Sequence, residues 1–447
     1  MDAHASGLHS PVLLTMPSFD GTLAAARCLG QKGIPVTLAG TADLSPSRWS
    51  RHVRNWVAAP SVFEPERYLQ WLLEFGAKEP GYVLYPTSDD LAWLFAEHAD
   101  ELGRYYQLYQ PKVASIIALL DKKALHELCS KLAIPTPRTV YPRSAAEAAR
   151  LAADLEFPLL IKPRTQMLLP TRNKGMLVES RESLRTEYER FVRKNRPHPR
   201  IREVISDVDL PMVQEFQPDA AGATYSISGF ITRDGRVTAR SAVKVLQRPR
   251  RVGVGICFED AEIDATALNN VIRLCEHVGY HGIFEVEFVR RGDSLMLIDF
   301  NPRFFGQMGF DIVRGLPLPY LAWLGATRQN ERLNREVTTA NAWETEGYVY
   351  CNRFYFGLAV SLRALTGRMS PQERARWQCW LEDPSRRELA FDPMSFPEDP
   401  LPNWVSKLRE LYSAARHPRA FIRNIVLSAT GLALDSMELS STIAPLL

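Results

Sequence analysis

The chain has 447 residues, of which 46% are hydrophobic and 23% are charged, and its formal net charge is +3. This length predicts two or three domains with full cores, and the small net charge gives no reason to expect nucleic acid or a membrane surface as a partner. Six cysteines occur without a CxxC pair, so we expect reduced thiols in a cytoplasmic protein. Residues 1–10 lack the pattern of a secretory signal, and no apolar run reaches the roughly 18 residues that a membrane span needs.

The amino-terminal region, residues 1–110, has the pattern of a parallel α/β domain. An apolar run at 11–16, a helical pattern at 23–32 and a second apolar run at 36–40 predict a right-handed strand–helix–strand unit. A later strand is predicted at 82–85. The missing GxGxxG motif argues against a dinucleotide site here.

Polar residues follow two of these predicted strands. In open α/β sheets, ligands gather beyond the carboxyl ends of the strands, so this is where a small substrate could bind. The residues are Ser18, Asp20 and residues 87–90. The alternative is structural, because Asp20 and Asp89 can each cap the helix that follows. We expect capping for at least half of the group.

The next region, residues 111–330, begins with two predicted helices and a strand that ends in a lysine. The helices are expected at 121–132 and 144–155, the second with a serine N-cap. The apolar run at 157–162 predicts the strand, with Lys162 at its end. Burying an unpaired ammonium is costly, so Lys162 must face water or meet an anion such as a nucleotide phosphate.

Two basic segments follow in the middle of this region. The loop at 164–175 contains three basic residues and one glycine. Strands at 225–231 and 238–246 then predict a hairpin. The basic cluster after the hairpin is either a solvated loop or a contact for phosphate or a substrate carboxylate, and Lys244 and Arg248 are the leading candidates for such a contact.

The stretch at 282–303 predicts an antiparallel hairpin with acidic residues on alternate positions. Because side chains alternate along a strand, each strand has two polar residues on one face. They are Glu285 and Glu287 on the first strand and Asp299 and Asn301 on the second. If these faces coincide, the oxygen donors suit Mg²⁺, and Arg303 lies at the rim as a planar donor for anionic oxygens. The alternative is an amphipathic hairpin whose acids face water.

The sequence of the carboxyl-terminal region, residues 331–447, gives less information about structure and function. An irregular segment is predicted at 393–402, and helices are predicted at 401–415 and 418–434. Arginines beside apolar residues in the last of these would suit a helix on a membrane surface. We favour the alternative, in which this helix packs on the main body.

Five short fragments occur in an order typical of one superfamily. They read DK at 121–122, IKP at 161–163, VQEF at 213–216, VEF at 286–288 and DFNPR at 299–303. Together they resemble the ATP-grasp superfamily, whose metal hairpin usually ends in Glu-x-Asn-Pro-Arg, with Asp299 here in place of the glutamate. The sequences NPRFFG at 301–306 and GLPLPYL at 315–321 resemble its carboxylate–amine ligase branch, which includes D-aspartate ligase-like enzymes.

The resemblance implies an α/β protein that is α+β in its ATP-grasp part. Three regions are expected: an amino-terminal parallel α/β domain at 1–110, a two-lobed ATP-grasp domain at 111–330 and a mostly helical extension at 331–447. In the superfamily, the loop that corresponds to 164–175 is usually glycine-rich and covers the phosphates. Here the loop is poor in glycine, so no backbone contacts are carried over.

The resemblance also assigns roles to individual residues. Lys122 and Lys162 would hold the ATP phosphates, with Lys123 as a competitor for the first role. The other implied residues are Glu215 with the backbone of Phe216 and Gln217 for adenine, Asp219 for ribose, Glu287, Asp299 and Asn301 for Mg²⁺ or Mn²⁺, and Arg303 for catalysis. Lys244 and Arg248, the candidates from the basic cluster, are added to the expected catalytic residues.

The implied function is an ADP-forming ligase. Such an enzyme converts a small-molecule carboxylate into an acyl phosphate with MgATP and joins it to an amine, here with amino-acid-like substrates. An ATP-binding sensor or partner subunit is one alternative. Another is an ATP-grasp enzyme with a thiol or bicarbonate acceptor. A homodimer is left open.

Overall fold

The computed structural model describes residues 10–41, 44–171, 174–217, 223–248, 254–344, 346–367, 369–382 and 389–421. In these residues, three sheets account for the strands, and helices cover or connect the sheets. None of the described helices combines the length and the apolar character needed to cross a bilayer. The predicted α/β architecture is confirmed.

The amino-terminal domain is a parallel sheet with strand order β3-β2-β1-β4-β5. Its strands are β1 (Val12–Leu14), β2 (Val36–Gly40), β3 (Val53–Ala58), β4 (Val83–Leu84) and β5 (Gln107–Leu108). Its helices are α1 (Asp20–Gln31), α2 (Pro65–Lys78), α3 (Asp89–Glu97) and α4 (Ala99–Leu102). The predicted strand–helix–strand unit is confirmed as β1-α1-β2.

Helix α1 begins three residues before its predicted start. The small and polar residues that interrupted the apolar pattern are buried in its first turn. There the Thr22 hydroxyl donates to the Thr15 carbonyl at 3.0 Å. Gly21 is required for close packing, because a Cβ at this position would lie 2.5 Å from the Phe305 carbonyl oxygen. The start of α1 therefore lies directly against the loop that follows the acidic hairpin.

A four-stranded antiparallel sheet forms the first lobe of the central region, with order β6-β9-β7-β8. Helices α5 (Val113–Leu120) and α6 (Lys122–Lys131) precede it. Its elements are β6 (Thr139–Val140), α7 (Ala145–Leu151), β7 (Leu159–Lys162), β8 (Met176–Val178), α8 (Arg181–Lys194), α9 (Pro199–Val204) and β9 (Met212–Glu215). Ser144 caps α7 as predicted, but the helix gives way to a 3₁₀ turn at Ala152–Asp154.

A seven-stranded sheet forms the second lobe, with order β14-β13-β10-β11-β12-β15-β16 among the described strands. The elements up to the acidic hairpin are β10 (Thr224–Ile231), β11 (Val237–Arg248), β12 (Val254–Asp260), α10 (Ala265–Val278), β13 (Gly282–Arg291) and β14 (Ser294–Asn301). Both predicted hairpins are confirmed, as β10–β11 and β13–β14. After them come α11 (Met308–Val313), α12 (Leu318–Ala326) and α13 (Asn330–Asn341).

The carboxyl-terminal region is mostly helical where the structure describes it, but it also contributes two short strands to the second lobe. The elements are β15 (Val349–Cys351), α14 (Arg353–Leu365), α15 (Pro371–Glu382), β16 (Ala390–Phe391) and the helices Leu401–Arg416 and Pro418–Phe421. Helix Leu401–Arg416 packs against the amino-terminal domain at Pro46–Trp49. The rest of the helix predicted at 418–434 lies outside the described residues. The three-region division stays a prediction.

A buried ion pair ties the carboxyl-terminal region to the amino-terminal domain. Arg27 of α1 donates to the Asp399 carboxylate at 2.8 Å, and Asp399 is 1% exposed. The same carboxylate accepts bonds from the Ser50 hydroxyl and the Arg51 backbone N–H, both at 2.8 Å. Burial raises the pKa of Asp399, but these donors outweigh burial and the net pKa is lowered.

We expect Asp399→Ala to destabilise the protein, because it leaves the Arg27 guanidinium buried without its acid. Breaking one partner of a buried pair costs about 3 kcal/mol. The measurement is the free energy of unfolding in urea, together with the melting temperature. Glu398→Ala is the matched control, because that side chain is exposed. Equal stability of the two variants would contradict the anchoring role.

Candidate active site

A cavity of about 580 Å³ is lined by residues from both lobes, the amino-terminal domain and the carboxyl-terminal region. Strands β7 and β9 contribute from the first lobe, and β11, β13 and β14 contribute from the second. The start of α1 and strand β15 line the cavity as well. Chemistry in this cavity can therefore combine groups that are far apart in sequence.

The acidic hairpin presents its four polar side chains to this cavity. In the β13–β14 register, Glu285 faces Asn301 and Glu287 faces Asp299. All four line the cavity, so the two strand faces coincide as the alternation predicted. The alternative, in which these acids face bulk water, is wrong because the other elements close around them.

Two lysines neutralise two of these acids. The Lys122 ammonium, from the start of α6, binds Asp299, and the Lys244 ammonium of β11 donates to Glu287 at 2.9 Å. Burial raises the pKa values of Glu287 and Asp299, but the lysine charges outweigh it and lower both. Both carboxylates are therefore ionised.

The third acid, Glu285, differs because no lysine binds it. Burial and the charge of Glu287 raise the pKa of Glu285 to about 8. Its carboxyl group accepts bonds from the Asn301 amide at 2.6 Å and the Gln307 amide at 2.9 Å. Sequence analysis did not identify Gln307.

The oxygen donors of the hairpin fit a hard divalent cation. Glu287 and Asp299 are ionised and lie opposite each other, and Asn301 adds an amide oxygen beside them. With the present side-chain positions, no group of three His, Cys, Asp or Glu residues in the described ranges is poised to hold a metal ion. Metal binding would require the two lysines to release part of their contact with these acids.

Lys162 is an ammonium group without an acidic partner in the cavity. Its ammonium forms no hydrogen bond or ion pair with another described residue, although the charges of Asp299 and Glu287 act on it. Burial and the charge of Lys122 lower the pKa of Lys162 to about 8. This is the arrangement expected where an anion binds.

Arg303 joins the amino-terminal domain to the hairpin. It donates to Asp89 at 2.5 Å, to the Asn301 amide oxygen at 2.6 Å and to the Phe304 carbonyl at 2.8 Å. Asp311, eight residues further along the chain, binds Arg314 and not Arg303. Arg303 lines the cavity, so its guanidinium is both fixed and in reach of a ligand.

The polar residues that follow the amino-terminal strands differ in whether they line the cavity. Asp20 and Asp89 line the cavity. Neither caps a helix, so the capping prediction for them is wrong; Ser88 caps α3 by accepting from Leu91 N–H. The Thr87 hydroxyl is hydrogen-bonded to Thr15, and the Asp90 carboxylate accepts from the Leu168 N–H.

The curated relatives found by sequence comparison include two that cover part of the chain, and no protein-family model matches. Both are carbamoyl phosphate synthase large chains. That of Thermus thermophilus is 26% identical over 215 residues, or 46% of this chain and 19% of the relative. That of Methanothrix thermoacetophila is 23% identical over 292 residues, which is 62% of this chain and 24% of the relative. The chain thus spans only a fifth to a quarter of their length.

The matches to solved structures cover more of this chain than the matches to curated sequences do. The biotin carboxylase domain of Hydrogenobacter thermophilus 2-oxoglutarate carboxylase, in complex with MgADP, ADP and bicarbonate, has a TM-score of 0.56 at 14% identity over 70% of this chain and 69% of that one. The L-amino acid ligase of Bacillus licheniformis has a TM-score of 0.51 at 15% identity, over 71% of this chain and 74% of that one. The N5-carboxyaminoimidazole synthetase of Staphylococcus aureus, in complex with ADP, has a TM-score of 0.54 at 13% identity. The match covers 72% of this chain and 78% of that one.

The chain has the ATP-grasp fold. Of the two candidate phosphate lysines at the start of α6, Lys122 lines the cavity. Lys123 instead lies near Glu127 and the Tyr141 ring.

The adenine and loop residues implied by the ATP-grasp resemblance have mixed positions. Glu215, Phe216 and Gln217 line the cavity, but Arg138 and Arg291 bind the Glu215 carboxylate at 3.2 and 3.3 Å. An adenine contact through that carboxylate stays a prediction. Asp219 lies outside the described residues, as does the side chain of Arg248.

In the glycine-poor loop, only part of the expected charge is available to a ligand. Arg164 is buried and binds Asp121, and it does not line the cavity. Lys174 lines the cavity. Arg172 lies outside the described residues.

Proposed function

We propose that this chain is an ADP-forming ligase that activates a carboxylate with MgATP and joins it to an amine, with amino-acid-like substrates. The observation that carries the proposal is the unpartnered ammonium of Lys162 beside the ionised Glu287 and Asp299, in one cavity of an ATP-grasp fold. The similarity to an L-amino acid ligase supports the amine acceptor.

The residues of the cavity have complementary roles in this proposal. Lys122 and Lys162 would hold the phosphates, because ammonium groups in a partly desolvated site bind anionic oxygens strongly. Glu287, Asp299 and Asn301 would hold Mg²⁺, and Mn²⁺ accepts similar oxygen donors. When bound, the ion would offset negative charge on the phosphates during transfer. A homodimer is an expectation for this chain, since the biotin carboxylase domain is described as a dimer.

The proposed reaction needs no covalent bond to the protein. A carboxylate oxygen attacks the γ-phosphorus of ATP, the bond to the bridging oxygen breaks, and ADP leaves. The amine nitrogen then attacks the acyl carbon, and phosphate departs as the C–N bond forms. The chain supplies fixed positive charge where negative charge grows, and Arg303 is the group best placed for the acyl and phosphoryl oxygens.

The function is tested by measuring ADP release with MgATP and paired amino acids, and by identifying the product by mass spectrometry.

Asn301→Ala should reduce turnover by roughly 10²-fold or more, because it removes a metal ligand and also frees Glu285 and Arg303. Asn330→Ala, on an exposed helix start, is the control. Wild-type turnover by Asn301→Ala would refute the metal assignment.

Lys162→Met should weaken ATP binding by about tenfold or more, because it removes a charge-assisted contact worth roughly 1.5–3 kcal/mol. Methionine keeps the apolar stem of the side chain. Calorimetric titration with ATP and Mg²⁺ gives the dissociation constant. Lys123→Met should bind ATP like the wild type, since Lys123 does not line the cavity. Equal affinities of the two variants would exclude the phosphate role of Lys162.

Arg303→Lys should lower kcat by roughly 10²-fold, the scale of losing one oriented donor at a developing negative charge. Lysine keeps the charge but cannot hold Asp89 and Asn301 with one planar fork. The KM for ATP should change little. A lower melting temperature with wild-type kcat would assign Arg303 a purely structural role.

A further inference from the structure

The amino-terminal domain is joined to the segment that follows β14 at the end of strand β4. The Phe304 backbone N–H donates to the Pro86 carbonyl at 3.1 Å, and the Phe304 ring stacks on the Tyr85 ring with centroids 5.0 Å apart. Helix α3 begins shortly after Pro86, at Asp89. The backbone that carries Arg303 is therefore placed by the amino-terminal domain as well as by the hairpin.

Asp89 is an acid whose carboxylate is not used by the helix that it begins. Ser88 caps α3 by accepting from the Leu91 N–H. The Asp89 carboxylate instead accepts from Nε of Arg303 at 2.5 Å, and the Arg303 and Asp89 side chains are only 16% and 11% exposed. A charge-assisted bond at this distance and burial fixes one nitrogen of the guanidinium.

Each of the three nitrogen atoms of the Arg303 guanidinium has a partner. Nε binds Asp89, and the two terminal nitrogens donate to the Asn301 amide oxygen at 2.6 Å and to the Phe304 carbonyl at 2.8 Å. A guanidinium has five N–H groups, so two remain for a ligand in the cavity that Arg303 lines. Asn301 and Phe304 are close to Arg303 in the chain, whereas Asp89 is 214 residues away. Asp89 thus fixes the guanidinium relative to a different domain.

A direct contact between Asp89 and a substrate is the alternative role, because Asp89 also lines the cavity. Its charge is already matched by a guanidinium, so a cationic group of a substrate would compete with Arg303 for it. An anionic group would be repelled by the carboxylate. The existing bond therefore favours a role in which Asp89 acts through Arg303.

We infer that Asp89 is a positioning residue, which orients the Arg303 guanidinium so that its two remaining N–H groups serve the acyl and phosphoryl oxygens of the proposed transfer. This inference rests on the proposed ligase function and adds to it a residue from the amino-terminal domain. Donors that are fixed before the reaction stabilise developing negative charge without a cost of reorganisation. Loss of the Asp89 charge should therefore slow the chemical step and leave the binding of ATP intact.

The first test is the kinetics of Asp89→Asn, which keeps the shape of the side chain and removes its charge. ADP release is measured with MgATP and the amino-acid pair that gives the highest wild-type rate. The kcat should fall by about tenfold or more, since a small misplacement of a catalytic group can cost roughly 10²-fold. The KM for ATP should stay near that of the wild type, because Lys122 and Lys162, the proposed phosphate contacts, are unchanged.

A double-mutant cycle separates positioning from a direct contact with the substrate. Arg303→Met removes the guanidinium, so Asp89→Asn in that background should cause no further loss of kcat. Losses that multiply in full would show that Asp89 acts on the substrate itself, and they would overturn the positioning role.

Asp311→Asn is the matched control, because it breaks another buried pair of an arginine and an aspartate. Arg314 donates to Asp311 at 2.7 Å, both side chains are 1% exposed, and neither lines the cavity. This variant should melt at a lower temperature and keep the wild-type kcat per folded protein. The same result for Asp89→Asn would overturn the inference and leave Asp89 with a structural role. Wild-type protein that releases no ADP with any amino-acid pair would instead overturn the proposed function, and this inference with it.

Discussion

Neutralisation of the carboxylates on one hairpin is the constraint on which the cavity depends. The β13–β14 register brings Glu285, Glu287 and Asp299 to one face, and like charges repel strongly where water is partly excluded. Lys122 and Lys244 relieve this repulsion from two different elements, α6 and β11. The hairpin, the connecting helix and the neighbouring strands are therefore held in one arrangement by charge as well as by packing.

The same arrangement of charges favours the binding of an anion in the cavity. Two lysines match the two ionised acids, and the third acid has a raised pKa that lets it hold a proton. Lys162 is then an ammonium without a counter-ion among the described residues, and its lowered pKa reflects the free energy cost of that state. A bound polyphosphate would lower that cost, so part of the repulsion between Lys162 and Lys122 would be offset by the bound anion.

The parts of the structure that were predicted from the sequence are those set by local pattern. Alternation along β13 and β14 was sufficient to predict the shared acidic face, and the apolar run before Lys162 was sufficient for β7. Contacts set by topology were not predictable in this way. Arg303 and Asp89 are 214 residues apart, and the two strands of the carboxyl-terminal region are too short to give a pattern. Without the sheet order, nothing indicates that Tyr350 would reach the cavity.

This division between local and long-range information also applies to the residues that line the cavity. The proposed phosphate contacts require a few charges at the ends of regular elements, and short fragments such as IKP and DFNPR contain such charges. The cavity residues Asp20, Gln307 and Tyr350 come from α1, the loop after β14 and β15, so their relative positions depend on how three regions pack. A substitution in any of these regions can alter that part of the cavity wall while leaving Lys122 and Lys162 in place. Short motifs could therefore indicate the proposed reaction class, whereas the shape of the cavity depends on long-range packing that such motifs do not encode.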